Sequence, residues 1–283
     1  MKADFFYSSA AGRGIFRVLQ AVGVFKPVAW YLHTRVSAHL IPGYIKKNKI
    51  NMRPYGIRDY DSFADFFGRK REYLDFEIEP DVLIAPCDSL LSVYDISPDL
   101  EIPMKGSLYT LPDLIPDKEV TEKFRDGLCL VFRLEASDYH HFCFFDSGTM
   151  GKVSFIEGQL HSVQPIALRQ FPVFRLNRRW WSVLETKHFG TAAQIEIGAM
   201  AVGGVTFAEG KETFNRGEEM GNFELAGSTI VLLLTADVKK RLELDRKIKQ
   251  AYYRGNGSHT CDSDAEEVRV TIGSALGCLK NED

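Results

Sequence analysis

No run of about 18 consecutive apolar residues occurs in this chain, so the sequence offers no membrane-spanning helix. The N-terminus also lacks the apolar core and small-residue cleavage pattern of a signal peptide, and the expectation is a protein made and kept in the cytosol. Cysteine is sparse. Five residues, Cys87, Cys129, Cys143, Cys261 and Cys278, are odd in number and form no C-x-x-C pair, which argues for reduced thiols and against a zinc or redox centre; no metal is expected. Net charge is low, −3, but unevenly spread. Residues 1–50 hold eight Lys or Arg against Asp4 alone, a balance of +7 that leaves −10 on the rest. That acidic remainder disfavours nucleic acid as a partner. Internal repeats and low-complexity tracts are absent.

What is present falls into two textures. Ile15, Val18, Leu19 and Val22 are spaced i, i+3, i+4 and i+7, and Val28, Tyr31, Leu32 and Val36 nearly repeat the pattern after Pro27. Two amphipathic helices follow from this. Arg13, Arg17, Lys26 and Arg35 would meet anionic lipid while Phe16, Phe25, Trp30 and Tyr31 enter the headgroup boundary, or the same helices would pack on the core as a subdomain. From about residue 80, short β-branched and aromatic runs punctuated by Gly, Pro and Asp predict a β-rich core, for example 82–84, 128–134, 153–156 and 195–207. The stretch 236–254 reads as a charged helix and 255–264 as a loop before a short apolar tail. The expected fold class is therefore α+β: a predominantly antiparallel β core with N-terminal amphipathic helices, divided near residue 75.

One junction stands out. Gly221-Asn222-Phe223-Glu224-Leu225-Ala226-Gly227-Ser228-Thr229 runs straight into Ile230-Val231-Leu232-Leu233-Leu234, an apolar run that predicts a buried strand. A Gly-Ser step at the mouth of a rigid element pairs a permissive backbone with a held hydroxyl, as an intramolecular attack on the Gly227 carbonyl would need. The dipeptide alone means little, since Gly106-Ser107, Gly257-Ser258 and Gly273-Ser274 also occur and such pairs are usually turns.

Its surroundings carry more. Phe63-Ala64-Asp65-Phe66-Phe67 with Arg69, Ile84-Ala85-Pro86-Cys87-Asp88-Ser89, Lys105-Gly106-Ser107-Leu108-Tyr109-Thr110-Leu111, Asp138-Tyr139-His140, Ile197-Gly198-Ala199-Met200-Ala201-Val202-Gly203 and Gly217-Glu218-Glu219-Met220-Gly221 follow one another along the chain. These six blocks, in this order, resemble the phosphatidylserine decarboxylase family. The resemblance implies that Ser228 attacks the carbonyl of Gly227, that the chain is cut into residues 1–227 and 228–283, and that Ser228 becomes a covalent pyruvoyl cofactor. It further implies a Schiff base between that group and the substrate amine, with the pyruvoyl acting as electron sink when CO2 leaves. Asp88 would be the orienting acid and His140 would serve decarboxylation.

The resemblance fails at one position. Where the family has D-Y-H-R-x-H, this chain reads Asp138-Tyr139-His140-His141-Phe142-Cys143, so a thiol stands where the self-cleavage base belongs. An ordinary thiol is mostly protonated at neutral pH. His161 is the first candidate replacement, and His141 the second, although on a regular strand His140 and His141 point to opposite faces. Arg178, in the basic-aromatic stretch 175–181, would suit a phosphodiester or carboxylate through its planar fork, and a solvated hairpin tip is the alternative.

The expected activity is conversion of phosphatidylserine to phosphatidylethanolamine and CO2, on the cytoplasmic side of a membrane to which the chain binds peripherally. Its expected partners are the phospholipid substrate, an anionic membrane surface, its own cleaved chains and a second protomer in a homodimer. The alternatives are the same chemistry on a soluble amino acid, and a non-catalytic lipid-binding relative.

Overall fold

The computed structural model describes residues 9, 11–12, 14–15, 25–104, 107–168, 171–199, 204–225, 227–253 and 267–280. Most of the first expected helix, the loop over 255–264, and Lys105, Gly106, Met200, Ala201, Val202, Gly203 and Ala226 lie outside these residues.

The second expected helix is present as α1 (Phe25–Leu32), followed by a 3-10 turn over Arg35–Leu40, α2 (Ile41–Asn48) and α3 (Phe63–Phe67). Ser62 caps α3 by accepting from the Asp65 N–H at 3.1 Å. The buried Ser37 hydroxyl accepts from the Phe63 N–H at 2.9 Å and so ties the 3-10 turn to α3. Phe63, Phe66 and Phe67 form the centre of a small apolar cluster that takes in Ile41 and, from the far end of the sequence, Leu225. Part of the N-terminal region therefore packs on the core, while Trp30 and Val36 remain 72% and 68% exposed.

The strands follow in chain order. They are β1 (Val82–Ile84), β2 (Ser89–Asp95), β3 (Glu101–Met104), β4 (Ser107–Thr110), β5 (Leu128–Leu134) and β6 (His141–Cys143). Next come β7 (Gly148–Met150), β8 (Ser154–Ile156), β9 (Arg179–Thr186), β10 (Gly190–Ile197), β11 (Val205–Phe207) and β12 (Thr213–Phe214). The last are β13 (Glu219–Phe223), β14 (Ser228–Leu234), β15 (Leu242–Leu244), β16 (Tyr252–Tyr253), β17 (Val268–Val270) and β18 (Ala275–Leu279).

Ten of them make one sheet in the order β12-β7-β9-β10-β14-β5-β2-β16, with β8 on β9 and β17 on β2. Its pairings are antiparallel except β16 with β2, which gives the α+β class expected. The smaller sheet β11-β13-β6 lies against one face, where Phe142, Cys143, Met220 and Phe223 share a core with Leu130, Phe132, Ile230 and Leu232. The other face is covered by short helices over Pro165–Leu168 and Val173–Leu176, whose Ala167, Leu168, Val173 and Phe174 pack with Val131, Ile195, Val231 and Leu233. Covering on both faces explains why β14 reads as an unbroken apolar run instead of an alternating one.

One expectation is corrected. The charged stretch after residue 235 is α-helical only over Ala236–Arg241, with a 3-10 turn over Ile248–Ala251; between them Leu242 and Leu244 pair with β18, because their alternation with Glu243 suits an edge better than a helix face. The apolar tail supplies strands β17 and β18. Gly148–Met150 form β7, paired with β9. Phe66, fully buried, anchors the α3 cluster, so Phe66→Ala should lower unfolding free energy by about 3–5 kcal/mol in denaturant titration. Trp30→Ala should stay within about 0.5 kcal/mol of the unaltered chain.

Candidate active site

The Gly-Ser step sits in the middle of the large sheet, at the first residue of β14. Ser228 pairs with Leu134 of β5, and on the other side the register Ile197–Thr229 leads to Gly198. Its side chain is 2% exposed. Strand alternation sends Ser228 to the face shared by Leu134, Ile230 and Leu232, beneath the layer that carries Cys143 and Phe223. A Cβ at Gly227 would lie 3.3 Å from the Leu134 carbonyl oxygen, a tight contact, and 3.4 Å from Val163 Cγ2, an ordinary one.

The Asp138–His140 signature is held by the aromatic block near the N-terminus. Buried Arg69 donates to the carbonyls of Ser137 and Asp138 at 3.1 and 3.2 Å, and Phe67 packs on the His140 ring at 4.2 Å. The Asp138 carboxylate accepts from the Glu135 N–H and from Arg269, while burial, the larger effect, lifts its pKa above the usual range. The Phe223 N–H donates to the His140 carbonyl at 2.9 Å, which ties the signature to the strand leading toward the Gly-Ser step.

Asp88 begins where β2 begins, and the pairings Leu90–Arg133 and Ser228–Leu134 place Ser89, Leu134 and Ser228 in one row across three strands. Its carboxylate is held by Arg71 as a two-pronged ion pair and by the Ile272 N–H at 3.0 Å. No histidine ring is bonded to it among the described residues. Cys143 reaches the same segment through its N–H, which donates to the Pro86 carbonyl at 2.9 Å. The thiol itself is 1% exposed within the apolar layer, and burial pushes it far above its ordinary pKa, so it stays protonated.

The two candidate replacements are placed differently. His141 has both ring nitrogens engaged, Nδ1 with Glu219 at 3.0 Å and Nε2 with the Gly68 carbonyl at 3.1 Å. His161 lies on no strand. The Asn177 side chain holds its backbone through bonds of 2.8 Å to its N–H and 2.8 Å to its carbonyl, and also accepts the role of spacer by donating to the Gly198 carbonyl at 2.7 Å. His161 is thus brought to the same end of β14 as Ser228. Its ring, however, stacks on Phe171 at 4.9 Å and its neighbour Val163 belongs to the helix-covered layer, on the opposite face from Ser228. In the basic stretch, Arg179 is buried and donates to the carbonyls of Leu114, Arg175, Asn177 and Asp113, a structural use of its fork.

Sequence reasoning named Arg69 only as part of the first block and passed over Arg71, which with it organises the front of the site, and Gln194 and Glu196 of β10, both fully buried. The signal for the last two was a pair of polar residues alternating with Ala193, Ile195 and Ile197.

An antiparallel α+β protein with a buried Gly-Ser step at the mouth of a central strand, flanked by an Asp-Tyr-His signature, has a clear set of relatives. The phosphatidylserine decarboxylase family model matches residues 63–256. "Phosphatidylserine decarboxylase proenzyme 2" of Clostridium acetobutylicum is 38% identical over 239 residues, 83% of this chain and 82% of that protein. "Phosphatidylserine decarboxylase proenzyme" of Clostridium botulinum is 34% identical over 280 residues, covering 96% and 90%, and that of Desulfitobacterium hafniense is 37% identical over 210 residues, covering 72% and 70%. The chain belongs to the phosphatidylserine decarboxylase family.

The burial of Cys143 is directly testable. In native protein at pH 8, iodoacetamide should modify exposed Cys278 and leave Cys143 and Cys87 unmodified, as read by peptide mass mapping. Modification of Cys143 before unfolding would contradict its placement.

Proposed function

We propose that this chain is made as a proenzyme, cuts itself between Gly227 and Ser228, and then decarboxylates phosphatidylserine to phosphatidylethanolamine and CO2. The observation that carries the reading is the buried Ser228 at the start of β14, with Gly227 beside it where an added Cβ would press on the Leu134 carbonyl oxygen at 3.3 Å. The proenzyme names of the relatives support the cleavage.

The surroundings of residue 228 fit a small covalent ketone. Gly227 adds no bulk, and on the face to which residue 228 points lie buried polar groups, Gln194 and Glu196, one of whose carboxylate oxygens, Glu196 Oε2, has no hydrogen-bond partner. Residue 228 would hold the pyruvoyl group, which would supply a ketone able to take up an amine and act as an electron sink. His140, fixed against Phe67, holds or moves a proton for that step, and Asp88, pinned by Arg71, sets a fixed negative charge at the same end of the sheet. Val163, two residues after His161, lies 3.4 Å from where a Gly227 Cβ would stand.

Peripheral attachment to an anionic membrane is supported by the +7 balance of residues 1–50 and by exposed Val28, Trp30 and Val36. No helix among the described residues is long and apolar enough to cross a membrane. The family resemblance adds a homodimer of cleaved protomers.

The decisive assay is CO2 release from phosphatidylserine vesicles. Unaltered protein should release CO2 from the vesicles and none from free serine, and Ser228→Ala should release none. Release from free serine alone would favour a soluble amino acid as substrate; no release from either, by protein that has not split, would favour a non-catalytic relative. His140→Ala should still split yet lose at least about 100-fold in release rate.

A further inference from the structure

Strand β10 carries two fully buried polar side chains in an otherwise apolar run, Gln194 and Glu196. Their partners on β14 are Leu232 and Ile230, which face the layer under β6 and β13, so both polar side chains face that layer too. Gln194 Nε2 donates to Glu196 Oε1 at 2.9 Å and lies 3.2 Å from Met220 Sδ of β13. Buried Ser182 of β9 sits directly across from Gln194. Glu196 Oε2, Gln194 Oε1 and Ser182 Oγ are all without a hydrogen-bond partner. A carboxylate and an amide half-satisfied in a core are costly, and a fold keeps such groups where they have work to do.

That work lies next door. Ser228 shares the face, and because Glu196 pairs with Ile230, Ser228 is its diagonal neighbour. Diagonal positions of an antiparallel pair stand about 7 Å apart, within reach of a side chain as long as glutamate. We infer that Glu196 takes the hydroxyl proton of Ser228 during self-cleavage, filling the role for which Cys143 has no imidazole. The inference rests on the self-cleavage reading above. In the step, the Ser228 O–H proton passes to the Glu196 carboxylate and Oγ bonds to the Gly227 carbonyl carbon. The Gly227–Ser228 C–N bond then breaks and the Ser228 nitrogen takes the proton back, leaving an ester, an amine and the carboxylate as before.

The electrostatic setting suits the task. Burial raises the Glu196 carboxyl to about 7, against a smaller opposing effect of the Gln194 hydrogen bond, so near neutral pH it is divided between a form that accepts protons and one that gives them back. The groups facing it are Gln194 of its own strand, Ser182 of β9, Ser228 of β14 and Met220 of β13, none charged, and no charged group among the described residues contributes to its shift. Cys143 is a buried thiol, both nitrogens of His141 are engaged, and the His161 ring stacks on Phe171 with its Nε2 2.6 Å from Gln159 Oε1.

The test follows full-length chains made by cell-free synthesis, with splitting read over time on denaturing gels between pH 5.5 and 8.5. For the unaltered chain the rate should rise as pH passes through about 7 and then level off, because only the carboxylate accepts a proton. Glu196→Gln should split at least about 100-fold more slowly, Glu196→Asp should recover part of the rate, and His161→Asn should keep the rise near pH 7. Splitting of Glu196→Gln within threefold of the unaltered chain, or a rate flat across the range in the unaltered chain, would overturn the assignment even if one variant misfolds. An unaltered chain that stays whole would instead overturn the self-cleavage reading on which it rests.

Discussion

Everything at this site depends on β14 being a central strand. Its register with β5 on one side and β10 on the other is fixed over six or more residue pairs, and the sheet is covered on both faces, so a slip of one residue would turn Ser228 to the opposite layer. The strand therefore fixes which way the hydroxyl points, and what it finds there. On one face lie Gln194, Glu196 and the layer of the Asp-Tyr-His signature; on the other lie Val163 and the segment of His161.

A second constraint joins the ends of the chain. The block Phe63–Phe67 with Arg69 is far from Asp138 in sequence, yet Arg69 donates to the signature's carbonyls and Phe67 lies on the His140 ring, while Leu225, just before the Gly-Ser step, completes the same apolar cluster. The helices that precede the β core thus serve two ends. One side packs on the site, and the other leaves Trp30 and Val36 exposed.

Much of this was legible in the sequence because it was written in runs and blocks. Ile230 to Leu234 announced a buried strand, and six ordered blocks announced the family. The stretch 236–254 was misread because its charges suggested a helix, whereas Leu242 and Leu244 are claimed by pairing with β18, a partner that only the tertiary fold supplies. Glu196 was hidden for a related reason: alternating polar residues on a strand ordinarily mark a solvent face, and nothing local says that β6 and β13 cover it.

The most direct measurement of the central claim is the intact mass of the purified protein under denaturing conditions. The account predicts two polypeptides, residues 1–227 and residues 228–283, the smaller one lighter by the mass of ammonia than a peptide beginning with Ser228. A single chain of 283 residues, or a small fragment that still begins with serine, would contradict it.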